Sequence, residues 1–255
     1  MTIMTEEELM ALRRAGKLAG EILKKMLEHA QVGMTTGELD AFGEALMLEA
    51  GAQSAPQVAV GFPGATCISV NEEVAHGIPG ERILKAGDVL NIDVSLELDG
   101  FFADNAYTIV LDPSEKTKHL EHLCQEAKKA RDHAIKVLRH GAPLNMVGKV
   151  IEERAKKAGY SVVRNLCSHG IGRKLHEEPE ELLGYYDRRD KRKFIEGMVV
   201  TVEPFLSTAA RWVEEGDDGW TLMNRPGGRS AQFEHTILIR RNQPPEILTP
   251  CDYNC

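Results

Sequence analysis

The chain has 255 residues, a net charge of −8 and 42% hydrophobic residues. These values are ordinary for a soluble globular protein, and the negative balance argues against a DNA-binding surface. No apolar run approaches the ~18 residues of a membrane span, and the acidic start lacks a signal-peptide core. Five scattered cysteines without a C-x-x-C pair are typical of reduced thiols. We therefore expect a cytoplasmic protein with no membrane partner.

The first predicted elements are two helices. Thr5 and Glu8 form a capping-box pattern, and apolar residues then recur at helical spacing before Gly33. A second helix is predicted over residues 36–50, and Gly51 is its C-terminal stop.

The two-helix pattern returns in the second part of the chain. A long charged helix is predicted over residues 114–140, and a shorter one over residues 144–158. Gly141 and Gly159 end these helices, as Gly33 and Gly51 end the first pair, with the same spacing of 18 residues.

Each helix pair is followed by a His-Gly-Ile segment, at residues 76–78 and 169–171, and we take these two segments as equivalent. Next comes a glycine, a β-branched strand and an acid six residues after the glycine. In the first half this unit runs from Gly87 to Asp93, and in the second from Gly197 to Glu203. An acid within an apolar strand costs free energy unless something binds it.

A further acid follows in each half. Asp104 and Glu234 both precede a β-branched strand, and we treat them as equivalent. A hairpin turn is predicted at residues 99–100. Loops of two or four residues there give paired positions that sum to 199 or 197, both odd, so Asp93 and Asp104 point to the same face.

This order predicts an α+β fold in which helix-helix-strand units repeat about a pseudo-two-fold axis and the helices cover a twisted antiparallel sheet. No linker separates the halves, about 1–111 and 112–255. We expect one domain over residues 1–255.

The four acids predict a shared cation site. A single acid of this kind is more simply a surface residue, but four acids at matched places among apolar neighbours favour metal binding. Four carboxylates carry −4, which balances two divalent ions. Oxygen ligands suit Mn²⁺, Fe²⁺ or Co²⁺, and a nitrogen ligand shifts the preference toward transition metals.

Three histidines lie near glycine turns: His76, His169 and His176. A lone histidine is more often a hydrogen-bonded core residue, but this setting favours functional roles. The chain has no H-E-x-x-H motif, phosphate loop or G-x-S-x-G elbow.

These motifs resemble type I methionine aminopeptidases of the pita-bread fold, over nearly the whole chain. The most specific matches are residues 67–79, 91–94, 168–173, 176–179, 201–204 and 230–236. The resemblance implies two divalent metal ions, with Fe or Mn favoured over Co, Zn or Ni. It implies these five ligands: Asp93, Asp104, His169, Glu203 and Glu234.

The resemblance also implies the reaction, which is metal-assisted removal of the N-terminal methionine from peptides and nascent proteins. Glu203 would be both ligand and proton shuttle, His176 would donate to the oxyanion, and His76 would contact the scissile amide nitrogen. A monomer of the short bacterial form is implied, and a transient association with the ribosome is left open.

The methionine pocket departs from the family pattern. Cys67 and Trp220 are kept, whereas Ala59 and Phe62 stand where tyrosines are common and Leu175 replaces a phenylalanine. These changes predict a wider rim and weaker methionine selectivity. Two other functions stay open: a proline-specific peptidase of the same fold, which usually has an extra N-terminal domain, and a non-catalytic peptide-binding protein, which generally loses ligands.

Overall fold

The computed structural model describes residues 2–253. Its helices are α1 (Glu6–His29), α2 (Thr36–Glu49), α3 (Ala55–Val60), a 3₁₀ turn (Glu115–Thr117), α4 (Lys118–Ile135) and α5 (Asn145–Ala158). The strands of the first half are β1 (Gln53–Ser54), β2 (Cys67–Val70), β3 (Glu73–Ala75), β4 (Val89–Leu98) and β5 (Phe101–Val110). Those of the second half are β6 (Ser161–Val162), β7 (Cys167–Gly170), β8 (Glu177–Leu183), β9 (Val199–Val202), β10 (Phe205–Ser207), β11 (Glu214–Glu215), β12 (Leu222–Met223), β13 (Ser230–Gln232), β14 (His235–Leu238) and β15 (Glu246–Ile247).

The first helix begins at the predicted capping box. Glu8 N donates to Thr5 Oγ1 at 3.2 Å, and Thr5 N donates to Glu8 Oε2 at 3.2 Å. Two otherwise unpaired backbone donors are thereby satisfied. An equivalent box at Thr35 and Glu38 begins α2, so both predicted starts are confirmed.

The third predicted helix is shorter than expected. A 3₁₀ turn precedes α4, which ends at Ile135 and not at residue 140. Beyond that end, Val137 N donates to Ala134 O and Leu138 N to Ile135 O. These bonds span three residues and tighten the chain, while Leu138 is still buried. The apolar periodicity therefore continued past the true end of the α-helix. The fourth helix is confirmed as α5.

The predicted hairpin joins β4 and β5. Leu98 pairs with Phe101, so the loop has two residues and the paired positions sum to 199. Asp99 and Gly100 have φ values of 54° and 78°, the left-handed conformations that a two-residue hairpin turn of this type requires. Asp93 and Asp104 therefore lie one diagonal step apart on one face, as predicted.

The two halves repeat the same hydrogen bonds. Gly33 N donates to Leu84 O and Gly141 N to Phe194 O, at 2.9 and 2.8 Å. In each half a central strand, β4 or β9, pairs antiparallel with two neighbours, β2 and β5 in the first and β7 and β14 in the second. The predicted antiparallel α+β repeat is thus present.

The two His-Gly-Ile segments are not equivalent, contrary to the sequence prediction. Val70 and Gly170 occupy the same register position, each opposite the third residue after the glycine that precedes the central strand. His169 therefore corresponds to Ser69 in the first half. His76 instead follows β3, the second strand of its hairpin. The His-Gly-Ile tripeptide therefore occupies different structural positions in the two halves.

The pseudo-two-fold axis passes between β5 and β14. Thr108 Oγ1 donates to Gln232 O at 2.7 Å and accepts from Gln232 N at 3.0 Å. Thr236 Oγ1 makes the same pair of bonds with Asp104 O and N, at 2.8 and 3.0 Å. The rotation about this axis that superposes Thr108 on Thr236 therefore also superposes Gln232 on Asp104.

The position of this axis shows that the predicted equivalence of Asp104 and Glu234 is wrong. Asp104 corresponds to Gln232, and Glu234, whose N donates to Ala106 O at 2.9 Å, corresponds to Ala106. The carboxylates do not form two symmetric pairs. Only Asp93 and Glu203 match, each six residues after its glycine.

One large hydrophobic core contains buried residues from both halves. Helix α1 packs on β4 and β5, and α4 packs on β5, β9, β10 and β13. The N-terminal arm crosses to the other half, where Ile3 N donates to Gly197 O at 2.7 Å. Among the described residues, no helix combines the length and apolar character that crossing a membrane would require.

Helix α1 contacts the C-terminal segment through glycine. A Cβ on Gly20 would lie 2.1 Å from Pro250 O, a backbone atom that a side-chain rotation does not move. Gly→Ala in a helix normally stabilises by about 1 kcal/mol. At this position we expect Gly20→Ala to lower the free energy of unfolding by about 1–3 kcal/mol through overpacking, measured by urea denaturation. The exposed Lys17→Ala variant is the control, and a stabilised Gly20→Ala protein would contradict the packing described.

Candidate active site

A cavity of about 330 Å³ opens where the two halves meet. It brings together nearly all of the residues that the sequence predicted for the site. The predicted residues that line it are Phe62, Cys67, His76, Asp93, Asp104, His169, Leu175, His176, Glu203 and Trp220. Glu234 lies just beneath them and is 1% exposed.

The tightest cluster of ligand atoms combines three side chains. Asp104, His169 and Glu234 each offer one atom, and these atoms lie within 4.8 Å of one another. Glu203 adjoins them, with Oε1 3.5 Å from His169 Nε2. Asp104 comes from β5 and His169 from β7, while Glu203 and Glu234 flank β9 and β14, so the cluster forms only when both halves meet.

Asp93 completes the group of acids. It lies on β4 opposite Cys67 on one side and Ala106 on the other, and it shares a hydrogen bond with Asp104. Its Oδ1 is buried without a hydrogen-bond partner, as is Oε1 of Glu234. Buried polar atoms normally have a hydrogen-bond partner, so these two unpaired oxygens indicate a ligand-binding site.

Burial raises the pKa values of all four carboxyl groups. Desolvation is the largest cause for each, and for Asp93, Glu203 and Glu234 the charges of neighbouring acids push the pKa well above its ordinary value. Ser95 Oγ, which donates to Asp104 Oδ1 at 2.7 Å, moderates the rise of the Asp104 pKa. Burial and mutual repulsion therefore oppose full ionisation of the four carboxyl groups.

His169 presents one ring nitrogen to the acids. Its Nδ1 lies 3.0 Å from Gly170 O, where it donates a hydrogen bond, so Nε2 is left as the free acceptor facing Glu203. Burial, with a contribution from the charge of His176, lowers the pKa of His169 to about 3. A neutral imidazole oriented by its other nitrogen is the form that binds a metal.

A polar layer that the sequence reasoning missed supports the acids. Thr201 Oγ1 donates to Glu203 Oε1 at 2.7 Å, and Gln232 Nε2 lies 3.3 Å from both Glu203 Oε2 and Glu234 Oε2. Thr201 and Gln232 each precede an acid by two positions. Because side chains two apart on a strand share a face, this spacing was the signal that identifies them.

Two histidines stand at the rim of the cavity. The rings of His169 and His176 lie 4.3 Å apart, so His176 reaches over the cluster from the loop before β8. Across the cavity, His76 has a left-handed backbone with φ of 54°. Burial, and then the charge of His176, lowers the pKa of His76. A strained, non-glycine backbone of this kind is typical of functional sites.

Much of the remaining wall is apolar. Phe62 and Trp220 meet edge to face with ring centroids 5.3 Å apart, and the buried side chain of Leu175 also lines the cavity. Burial raises the pKa of Cys67 well above its ordinary value, so its thiol is neutral. Ala59 is exposed on α3 and does not line the cavity, so its assignment to the pocket was wrong.

A second cysteine also lines the cavity. Cys167 begins β7 as Cys67 begins β2, so the two thiols occupy corresponding positions in the repeat. Burial raises the pKa of Cys167 to about 11. The sequence reasoning passed over this cysteine because its partner in the other half lies 100 positions away.

The donor set fits a divalent cation. Converging carboxylate oxygens, two of them unpaired, and one neutral imidazole nitrogen offer ligands that hard or borderline metal ions prefer. Repulsion among the buried carboxylates is a second reason for a cation to bind here.

Comparison with solved structures gives the class. The chain has the pita-bread fold and matches the crystal structure of methionine aminopeptidase from Rickettsia prowazekii with a TM-score of 0.92, at 36% identity, covering 98% of this chain and 100% of that one. The chain belongs to metallopeptidase family M24, which matches residues 10–241.

Two further comparisons span almost the whole sequence. The chain is 41% identical to methionine aminopeptidase 2 of Bacillus subtilis over 245 residues, which is 96% of this chain and 98% of that protein. The fold is also shared by the prolidase of Pyrococcus horikoshii, with a TM-score of 0.77 at 23% identity, but only 65% of the prolidase is covered.

The buried acids predict an unusual pH dependence for chelated protein. Their pKa values are raised in the folded state, so the folded protein binds more protons than the unfolded chain. Stability contributed by this difference is therefore lost as the pH rises from about 4, the unfolded value, through the raised native values.

We expect the melting temperature of EDTA-treated protein to fall over this window, and Mn²⁺ to restore it at pH 7–8 because the cation replaces the protons. Calorimetric melting at several pH values, with and without Mn²⁺, is the measurement. The Asp93→Asn variant serves as a control in which the fall should shrink. A chelated protein that grows more stable with pH would contradict the electrostatics of the cluster.

Proposed function

We propose that this protein removes the N-terminal methionine from peptides and nascent proteins by hydrolysing the first peptide bond, and that residues 1–255 act as one catalytic domain. The observation that carries the proposal is that the five predicted ligand residues gather at one cavity: Asp93, Asp104, His169 and Glu203 line it, and Glu234 belongs to the same cluster as Asp104 and His169. The likeness to aminopeptidases over nearly the full chain supports it.

The proposed cofactor is a pair of divalent metal ions. Asp93, Asp104, His169, Glu203 and Glu234 would hold them, and four carboxylates at −4 balance two ions at +4. The mixture of oxygen donors with one imidazole favours Fe²⁺ or Mn²⁺, with Co²⁺, Zn²⁺ and Ni²⁺ as further candidates.

When bound, the two ions supply Lewis acidity, which polarises the scissile carbonyl and acidifies a water molecule. In the proposed mechanism Glu203 accepts the proton of the attacking water and returns it to the leaving amine. Its Oε1 accepts a hydrogen bond from Thr201, so the carboxylate is held facing His169. A group in this position can shuttle a proton without moving its backbone.

His176 is assigned to the developing oxyanion. Its ring stands beside that of His169, so a donated hydrogen bond would reach a carbonyl oxygen lying over the cluster. His76 is assigned to the scissile amide nitrogen from the opposite side of the cavity. The two histidines would thus hold the peptide bond between them while its carbon is attacked.

The lining of the cavity supports methionine as the residue removed. Phe62, Cys67, Leu175 and Trp220 contribute apolar surface against which its side chain would pack. The substrate's free amine would sit among the acids, and this arrangement restricts cleavage to the first residue. Removal of one aromatic wall, where Leu175 stands, supports a wider pocket than the family pattern implies.

The two alternative functions have weaker support. Proline-specific enzymes of this fold are represented by a prolidase of which the chain covers only 65%, so the match leaves a third of that enzyme without a counterpart. A non-catalytic peptide-binding protein would gain nothing from four acids and one histidine in a single buried cluster, because burying like charges together costs free energy.

We also propose that the protein acts on nascent chains in the cytoplasm as a monomer, with transient contact to the ribosome as a further proposal. The four described cysteines are free thiols, in keeping with a reducing compartment.

The first test uses a panel of Xaa-Ala-Ser peptides. We expect Met-Ala-Ser to be hydrolysed after loading with Mn²⁺, Fe²⁺ or Co²⁺, with release of methionine measured by chromatography and metal content measured on the same sample. Norleucine and leucine peptides should also be cleaved, since Leu175 widens the pocket. A folded, metal-loaded protein that releases no methionine would sink the proposal, and strict rejection of norleucine and leucine would refute the wide pocket alone.

The second test concerns His176. If it stabilises the oxyanion, His176→Ala should lower kcat by roughly 10²–10³ while metal content stays normal. His133→Ala, on the exposed surface of α4, is the matched control and should leave kcat unchanged. Loss of metal from the His176→Ala protein would show instead that this histidine is a ligand.

A further inference from the structure

Gln232 lies directly against the carboxylate cluster and is 2% exposed. Its Nε2 lies 3.3 Å from one oxygen of Glu203 and 3.3 Å from one oxygen of Glu234. We infer that Gln232 is a positioning residue, which holds Glu203 and Glu234 at the spacing needed to bind metal. The inference rests on the proposed function, since it concerns the same site.

The backbone of Gln232 is held on both sides. Thr108 Oγ1 bonds to its N and O, and its strand, β13, pairs with β10 through Phe205. Thr108 also accepts a hydrogen bond from Asn91 Nδ2 at 3.1 Å. The amide is therefore presented to the two acids by a rigid support, which is the condition for a positioning role.

The internal symmetry explains why an amide at this position matters. Gln232 occupies the place that Asp104 occupies in the other half. A carboxylate there would give five buried acids, one more than two divalent ions balance. An amide instead supplies two N–H donors without charge, so it attracts both Glu203 and Glu234 and offsets their repulsion.

The competing explanation is that Gln232 only fills space in β13. Its Oε1 has no hydrogen-bond partner among the described residues, so the side chain is not an ordinary satisfied core amide. A space-filling residue would affect stability but would not affect the affinity of the folded protein for metal. Metal affinity therefore separates the two explanations.

The test is calorimetric titration of Mn²⁺ into chelator-treated protein. Gln232→Met keeps the length of the side chain and removes both donors, and we expect its Kd for Mn²⁺ to rise by roughly 10–100-fold. Asn224→Leu is the matched control, because this buried amide donates to Ser207 and Ser230 outside the cavity. The control should leave the Kd unchanged even if it lowers the melting temperature.

An unchanged Kd in folded Gln232→Met would overturn the inference. If that variant does not fold, Gln232→Glu replaces attraction to the two acids with repulsion at the same length. We expect its kcat on Met-Ala-Ser to fall by about 10-fold or more at full metal occupancy, and an unaltered kcat would also overturn the inference. Should the wild-type protein bind Mn²⁺ but cleave no peptide, the calorimetric result still stands, and only the proposed function fails.

Discussion

Mutual repulsion among buried carboxylates is the constraint on which this structure depends. Asp93, Asp104, Glu203 and Glu234 lie in one small volume, where loss of hydration and like charge both oppose ionisation. Each acid comes from a different strand or strand end, so packing of the two halves is what forces them together. The hydroxyl, amide and imidazole groups around them reduce this repulsion but do not remove it. The centre of the folded protein therefore favours the binding of a cation.

The internal two-fold explains the position of the site but not its chemistry. Matching hydrogen bonds from the hydroxyls of Thr108 and Thr236 to the backbone of the other half hold β5 beside β13 and β14 at the axis, and this places acids from both halves within reach of one another. The chemistry comes from positions where the halves differ. Gln232 is the counterpart of Asp104, Glu234 is the counterpart of Ala106, and His169 is the counterpart of Ser69.

Much of the fold was predictable from local signals. The capping box of α1, the glycine stops at Gly51 and Gly159 and the Asp99-Gly100 turn each depend on a few neighbouring residues, and the structure confirms these elements. Gly33 and Gly141 instead lie several residues beyond the ends of α1 and α4. The end of α4 was not predictable in the same way, because buried Leu138 continues the apolar periodicity beyond the α-helix. Every residue that the resemblance assigned to the site lines the cavity or lies directly beneath it, apart from Ala59.

Symmetry was the weaker guide for the site. Asp104 and Glu234 each precede a β-branched strand, and this likeness suggested a repeat, but equivalence depends on strand register, and register depends on contacts across the axis. Gln232 lies within the motif match at residues 230–236 and precedes Glu234 by two positions, so its role could have been predicted from the sequence. Cys167 lies just outside the match at residues 168–173, and only the folded structure places it in the cavity.

The segment that carries Trp220 has a consequence for divergence within this fold. Strand β12 comes from the second half, yet it pairs with β3 of the first half, just before His76. Thr221 Oγ1 also lies 3.4 Å from His76 O. The segment that carries Trp220 is therefore paired with the segment that carries His76. In the proposed mechanism, an insertion or deletion in this segment would change side-chain preference and turnover together, because it would move both Trp220 and His76.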